Sequence, residues 1–261
     1  MCRLLGIAAE SVTRFATCLC DAPRSIATQS REQRDGWGAA VYAHDGAWLV
    51  AKRPVCAEDD AAFASAAMAT AGVILVAHVR ARTVGAVSQA NTHPFQRDGW
   101  VFAHNGTVSD VHLRSRTSLE RLRELEGETD SELLFAYLLT RLDECGLTRS
   151  SASFAIDETV GRAVGELTRV RAGTMNFVLS NGSLLYAHRC GRPLYLLERP
   201  SCGAGPASFL VASEPITTEA WMPLEELSLV RCSRSSALAV RFVRGADPRG
   251  LASGVELPFT D

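Results

Sequence analysis

Strand patterns open and close this chain, and its two strongest helix patterns lie together between them. Gly36-Trp-Gly-Ala-Ala-Val-Tyr-Ala-His44 reads as a strand, Asp45-Gly46 as a tight turn and Ala47-Trp-Leu-Val-Ala-Lys52 as the return. Ala-rich Ala61 to Ala71 predicts a short helix. Gly72 to Val79 and Trp100 to His104 are apolar, β-branched runs that end at polar residues, the pattern of buried strands. Thr129 and Glu132 have the spacing of a capping box ahead of an apolar run, which predicts a helix from about Ser131 to Glu144. A second helix is expected between Ser153 and Val170, then a hairpin turning at Asn181-Gly182, with further strands at Ser208 to Ser213, Leu227 to Cys232 and Leu238 to Val243. Such an order lacks the one-to-one alternation of a doubly wound sheet. It predicts an α+β fold of helices on mostly antiparallel sheet.

Nothing in the composition marks a linker, although Pro200 to Pro206 is expected to be an exposed loop, so one continuous domain is expected. Twenty-seven Lys and Arg against twenty-nine Asp and Glu leave a net charge of -2, which removes the simplest argument for a nucleic-acid or anionic-membrane partner. The longest apolar runs are far short of the roughly 20 residues that cross hydrocarbon. The opening segment has neither the apolar stretch nor the cleavage pattern of a secretory signal, so a cytoplasmic location is expected. Eight cysteines are scattered through the chain and read as reduced thiols. Cys18-x-Cys20 and six histidines match no standard zinc spacing, so neither metal nor cofactor is expected.

Individually, the candidate chemical groups each have an ordinary reading. Cys2 is either a small residue after the initiator or, with Met1 removed, a thiol and a free α-amine on one residue. With reference pKa values of about 8.5 and about 7.7–8.0, proton transfer between those two groups is nearly thermoneutral. Asn105-Gly106 is a turn dipeptide or a pair of oxyanion donors at a strand end. Arg80 could grip a carboxylate or simply meet solvent. Asp130 could bind an ammonium or favour the positive end of the following helix.

Read in order, the segments Met1-Cys-Arg-Leu-Leu-Gly6, Arg34-Asp-Gly-Trp-Gly38, Ala77-His-Val-Arg-Ala-Arg-Thr83, Asn91-Thr-His-Pro-Phe95, Ala103-His-Asn-Gly106 and Gly127-Glu-Thr-Asp-Ser-Glu132 resemble the class II, N-terminal-cysteine glutamine amidotransferases, their stand-alone members in particular. Weaker similarity continues at Ala212-Ser-Glu-Pro-Ile216 and Trp221-Met-Pro-Leu224. The resemblance implies a four-layer αββα N-terminal nucleophile hydrolase sandwich, a domain of residues 2–261 after loss of Met1. It implies Cys2 as nucleophile with its α-amine as base, and Asn105 and Gly106 as the oxyanion pair. Arg80 and Asp130 correspond to the groups that bind the glutamyl α-carboxylate and α-ammonium, while His78, Thr83, Trp37 and His93 fall in pocket-forming motifs.

Larger family members attach a synthase that consumes ammonia, and no such domain is read here. The resemblance therefore implies hydrolysis of glutamine or of a larger γ-glutamyl amine, as in thiohistidine biosynthesis or glutathione breakdown. The alternatives are a glutaminase subunit feeding a separate ammonia-using synthase, and a non-catalytic binding protein with a retained pocket.

Overall fold

The computed structural model describes residues 2–202, 205–234, 238–243 and 256–257. Two seven-stranded sheets, antiparallel at every pairing, lie face to face. The first contains β1 (Arg3–Arg14), β2 (Trp37–Tyr42), β3 (Trp48–Arg53), β4 (Ala71–Val79), β9 (Tyr195–Arg199), β10 (Ser208–Ala212) and β11 (Met222–Pro223), in the order β11-β9-β10-β1-β4-β2-β3. The second contains β5 (Phe95–Arg97), β6 (Trp100–Val108), β7 (Gly173–Ser180), β8 (Leu184–His188), β12 (Leu229–Arg234), β13 (Leu238–Phe242) and β14 (Glu256–Leu257), in the order β14-β13-β12-β8-β7-β6-β5.

A π-helical turn (Thr17–Asp21), α1 (Ile26–Ser30) and α2 (Ala61–Ala69) cover the outer face of the first sheet. The second sheet is covered by α3 (Asp110–Arg114), α4 (Leu119–Arg123), α5 (Asp130–Glu144) and α6 (Ser153–Arg169). Three apolar clusters fill the spaces of this α+β sandwich. Leu5, Ile7, Trp37 and Leu75 pack outward against Phe63 and Leu19, while Leu4, Ala40, Val76, Val101 and Val178 meet between the sheets. Phe102 and Phe177 pack outward against α5, with Phe102 stacked parallel on Phe135 at 5.2 Å. Eleven of the fifteen α5 residues are buried, so this helix is enclosed on nearly every side.

Most expected elements form within a residue or two of their expected ends, including the helices at Asp130–Glu144 and Ser153–Arg169 and the hairpin at Asn181-Gly182, where Gly182 takes φ +92°. Three differences have local causes. β1 is a strand that the sequence patterning does not announce, because its first half is buried on both faces between β4 and β10 and shows no alternation. β6 runs through Asn105-Gly106 to Val108, so these residues lie within a strand and not in a turn. A β-carbon at Gly106 would sit 2.0 Å from the Thr174 carbonyl oxygen, so the glycine permits close strand approach here. The capping box is half formed: Thr129 Oγ1 accepts from Glu132 N at 3.2 Å, but the Glu132 carboxylate turns to Arg97 and to the Glu126 and Gly127 amides. No helix among the described residues is long and apolar enough to cross a membrane.

Candidate active site

Cys2 precedes β1 at the end of the first sheet, where three other segments converge on it. Its Sγ lies 3.3 Å from both the carbonyl oxygen and the amide nitrogen of Ala81, accepting a hydrogen bond from that amide. Asn105 Nδ2 donates to the Cys2 carbonyl oxygen at 2.9 Å and reaches Ser213 Oγ at 3.4 Å. Ser213 is fixed in turn by Leu4, whose amide donates to Ser213 Oγ and whose carbonyl accepts from Ser213 N, both at 3.0 Å. Burial pushes the Cys2 thiol up, while the Ala81 amide and the charges of Arg80 and Arg192 pull it down.

Arg80 follows the last residue of β4 and is 3% exposed. Its amide donates to Gly36 O at 2.8 Å and its carbonyl accepts from Asp35 N at 3.0 Å, while the Asp35 carboxylate accepts from Arg82 N at 2.8 Å. The Arg34-to-Gly38 motif thus serves this site through its backbone and Asp35. The Arg80 guanidinium donates to Val84 O at 2.7 Å and Ala86 O at 2.9 Å, which uses two of its five N–H groups and pins the loop beyond it. Burial pulls the Arg80 pKa down.

Asp130 and Gly106 meet along one edge of β6. β5 covers β6 only as far as Phe102, and no strand among the described residues pairs with that edge beyond it. Val108 N donates outward from the edge to Asp130 Oδ2 at 2.7 Å. N–H groups two residues apart in a strand point the same way, so the Gly106 N–H faces this edge too. The opposite strand agrees, since Met175, the partner of Gly106, sends its own N–H away to Cys190 O. The Asp130 carboxylate therefore sits about 7 Å along the edge from the Gly106 amide.

Buried histidines lie behind these groups. The rings of His78 and His93 are 4.2 Å apart, and both lie enclosed in the protein. Burial holds both in the neutral form, with the His78 pKa lowered to about 3. His104 bridges Ser131 Oγ at 2.9 Å and Thr174 O at 3.0 Å. The carbonyl partner implies that Nε2 carries the proton, so Nδ1 accepts from the serine.

Cys2, Arg80 and Asn105 are thus brought together, with Gly106 and Asp130 on the adjoining strand edge. Thr83 is exposed in the loop after Arg80, and His93 is buried against His78 and Phe95. The Trp37 ring is not brought to the site: its side chain points to the helical layer, donates to Asp60 Oδ2 at 2.8 Å and packs on Phe63. Among the described residues no three His, Cys, Asp or Glu side chains group as a metal site. Sequence reasoning quoted Ala81 within a motif without giving it a role, overlooked Arg192, and reached Ser213 and Glu214 only through a weakly similar segment.

Beside Asn105 opens a cleft of about 370 Å³ lined by Arg3, Arg24, Arg192, Tyr195, Ser213 and Glu214 among others. A second cavity, of about 530 Å³, opens at the far end of β1 around Phe15, Cys18 and Arg199.

Residues 1–206 match the class-II glutamine amidotransferase family. The chain is 29% identical to the γ-glutamyl-hercynylcysteine sulfoxide hydrolase of Mycolicibacterium smegmatis over 83% of this chain and 89% of that protein. It is also 29% identical to a putative glutamine amidotransferase of Haemophilus influenzae over 76% of this chain and 66% of that protein, and so spans about two thirds of that relative. A glutamine aminotransferase class-II domain protein from Silicibacter pomeroyi shares the fold, with a TM-score of 0.65 at 20% identity over 94% of this chain and 100% of that one.

Proposed function

The chain belongs to the class-II glutamine amidotransferases, amidohydrolases acting on γ-glutamyl amide bonds, and on that premise we propose that Cys2, freed of Met1, is its nucleophile. The observation that carries this reading is the 2.9 Å contact from Asn105 Nδ2 to the Cys2 carbonyl, which joins the two ends of the reaction centre. Loss of Met1 turns the Cys2 backbone nitrogen into an amine. That amine takes the thiol proton, the thiolate attacks the γ-carbonyl carbon, and the C=O electron pair moves onto oxygen.

Asn105 Nδ2 and the Gly106 amide would hold this oxyanion. Of the two Asn105 contacts, the longer one, to Ser213, is the one a substrate oxygen would displace most cheaply. Collapse of the intermediate breaks the C–N bond, and the Cys2 α-ammonium gives its proton to the departing amine. Water then attacks the γ-glutamyl thioester, releasing glutamate and restoring the thiol. Arg80 would receive the glutamyl α-carboxylate on its remaining N–H groups, and Asp130 the α-ammonium.

A cytoplasmic setting fits this reading, because all eight thiols are unpaired with one another and a nucleophilic thiol needs reduction. The cleft beside Asn105 favours an amine larger than ammonia over ammonia supply to a separate synthase.

Intact-mass analysis after exposure to a glutamine diazoketone analogue tests the proposal. The expected product lacks Met1 and carries one adduct on Cys2, with none formed by Cys2→Ala. Full activity with Met1 retained overturns the mechanism.

A further inference from the structure

Arg80 and Asp130 would read two charges borne by one carbon of the substrate, so their spacing matters as much as their identity. Such a pair has to be held to within about 0.5 Å to act together. The two lie far apart in the chain, Arg80 just after β4 and Asp130 at the start of α5. Asn91, from the motif Asn91-Thr-His-Pro-Phe95, links them. It is 2% exposed. Its Nδ2 donates to Ala86 O at 3.0 Å, the same carbonyl that accepts from Arg80 Nη1 at 2.9 Å. Its Oδ1 accepts from Glu128 N at 2.7 Å, two residues ahead of Asp130. One carbonyl and one amide as partners fix the orientation of this side chain. A carboxylate in its place would set a second acceptor against the Ala86 carbonyl.

Both ends of the link are held. The Gly127 amide donates to Glu132 Oε2 at 2.8 Å and the Glu126 amide to Glu132 Oε1 at 3.0 Å, which ties the segment ahead of Thr129 to the helix that carries Asp130. On the other side Thr92 Oγ1 donates to Ser88 O at 2.7 Å and Lys52 Nζ to Thr92 O at 2.9 Å, which steadies the turn presenting Asn91. Between Arg80 and Asn91 the loop exposes Val84 and Val87, so apolar packing does little to hold it. Two glycines give the Asn91 amide its room. A β-carbon would stand 2.8 Å from Asn91 Nδ2 at Gly85 and 2.3 Å from Asn91 Oδ1 at Gly127.

We infer that Asn91 is a positioning residue that sets the spacing of Arg80 and Asp130, so that the two read one zwitterion together. The inference rests on the assignment of those groups to the glutamyl α-carboxylate and α-ammonium, and adds the residue that couples them. A substrate carrying both charges must fit both groups at once. One carrying the carboxylate alone meets Arg80 and is indifferent to the spacing.

Steady-state hydrolysis of glutamine and of glutaramic acid, which lacks only the α-ammonium, by the protein lacking Met1 tests it. Asn91→Ala is expected to lower kcat/KM for glutamine by about tenfold, mainly through KM, and for glutaramic acid by less than about threefold. Gly127→Ala keeps Asn91 but sets a methyl against its Oδ1; it should reproduce the split, and it decides the question if Asn91→Ala does not fold. An equal loss on both compounds, as from general loosening of the loop, or no loss on glutamine, overturns the positioning role while leaving γ-glutamyl hydrolysis intact. Unsubstituted protein that fails to prefer glutamine to glutaramic acid overturns the assignment of Arg80 and Asp130 and the role of Asn91 with it. No turnover of either compound overturns the hydrolase reading as well.

Discussion

The side-chain amide of Asn105 is hydrogen-bonded at 2.9 Å to the carbonyl oxygen of Cys2, 103 residues away in the chain. One side chain of the second sheet thereby fixes the residue just ahead of the first, and a shift between the sheets would disturb the proposed nucleophile and the proposed oxyanion donor together.

Asn105→Ala should therefore lower kcat for γ-glutamyl amides by about 10²–10³. KM should change much less, because neither glutamyl charge is contacted by Asn105. Steady-state kinetics on glutamine and a γ-glutamyl dipeptide will check this, and a loss confined to KM would contradict the oxyanion role.

Asp130→Asn keeps an oxygen for the Val108 amide but removes the charge expected to meet the substrate ammonium. Discrimination between glutamine and glutaramic acid, which lacks only the α-ammonium, should shrink by about tenfold. A purely structural Asp130 would slow both compounds equally.

Burial holds the Cys2 thiol above its ordinary pKa, and the Arg80 charge opposes that shift. A raised thiol pKa means that the thiolate accumulates only as pH climbs through that higher value. Alkylation of Cys2 by iodoacetamide should accelerate with pH beyond the usual thiol range, and Arg80→Gln should displace the rise to still higher pH. A profile that Arg80→Gln leaves in place would show that this guanidinium has no bearing on the thiol.

Asp60 accepts from Trp37 Nε1, caps α2 through Ala62 N and pairs with Arg53 at 2.7 Å, all from a nearly enclosed position. Asp60→Ala should cost about 1–3 kcal/mol, because the indole N–H and the helix end lose their acceptor together. Urea denaturation followed by tryptophan fluorescence will measure it.

Chemistry carried by neighbouring residues was legible in the sequence. Thr129 marks the start of α5 because a hydroxyl and an amide three residues apart suffice to cap a helix. Local reading ended the strand before Asn105-Gly106 for the same reason: the dipeptide favours turns locally, whereas pairing with Asn176 and Met175 across β7 keeps it extended. Ordered motifs brought Cys2, Arg80, Asn105 and Asp130 into view. The cleft was not visible, since Arg3, Arg24, Arg192 and Glu214 come from four distant segments and no spacing relates them. Trp37 shows the limit of a motif, whose backbone can serve one face of a sheet while its largest side chain fills the other.

β1 is enclosed on one side by β10, whose Ala212 pairs with Leu5. Chain elongation at roughly 5–20 residues per second places about 10–40 s between the emergence of the two partners. Throughout that interval the first residues have no finished berth, which leaves a window for the proposed loss of Met1 before the sandwich closes around Cys2.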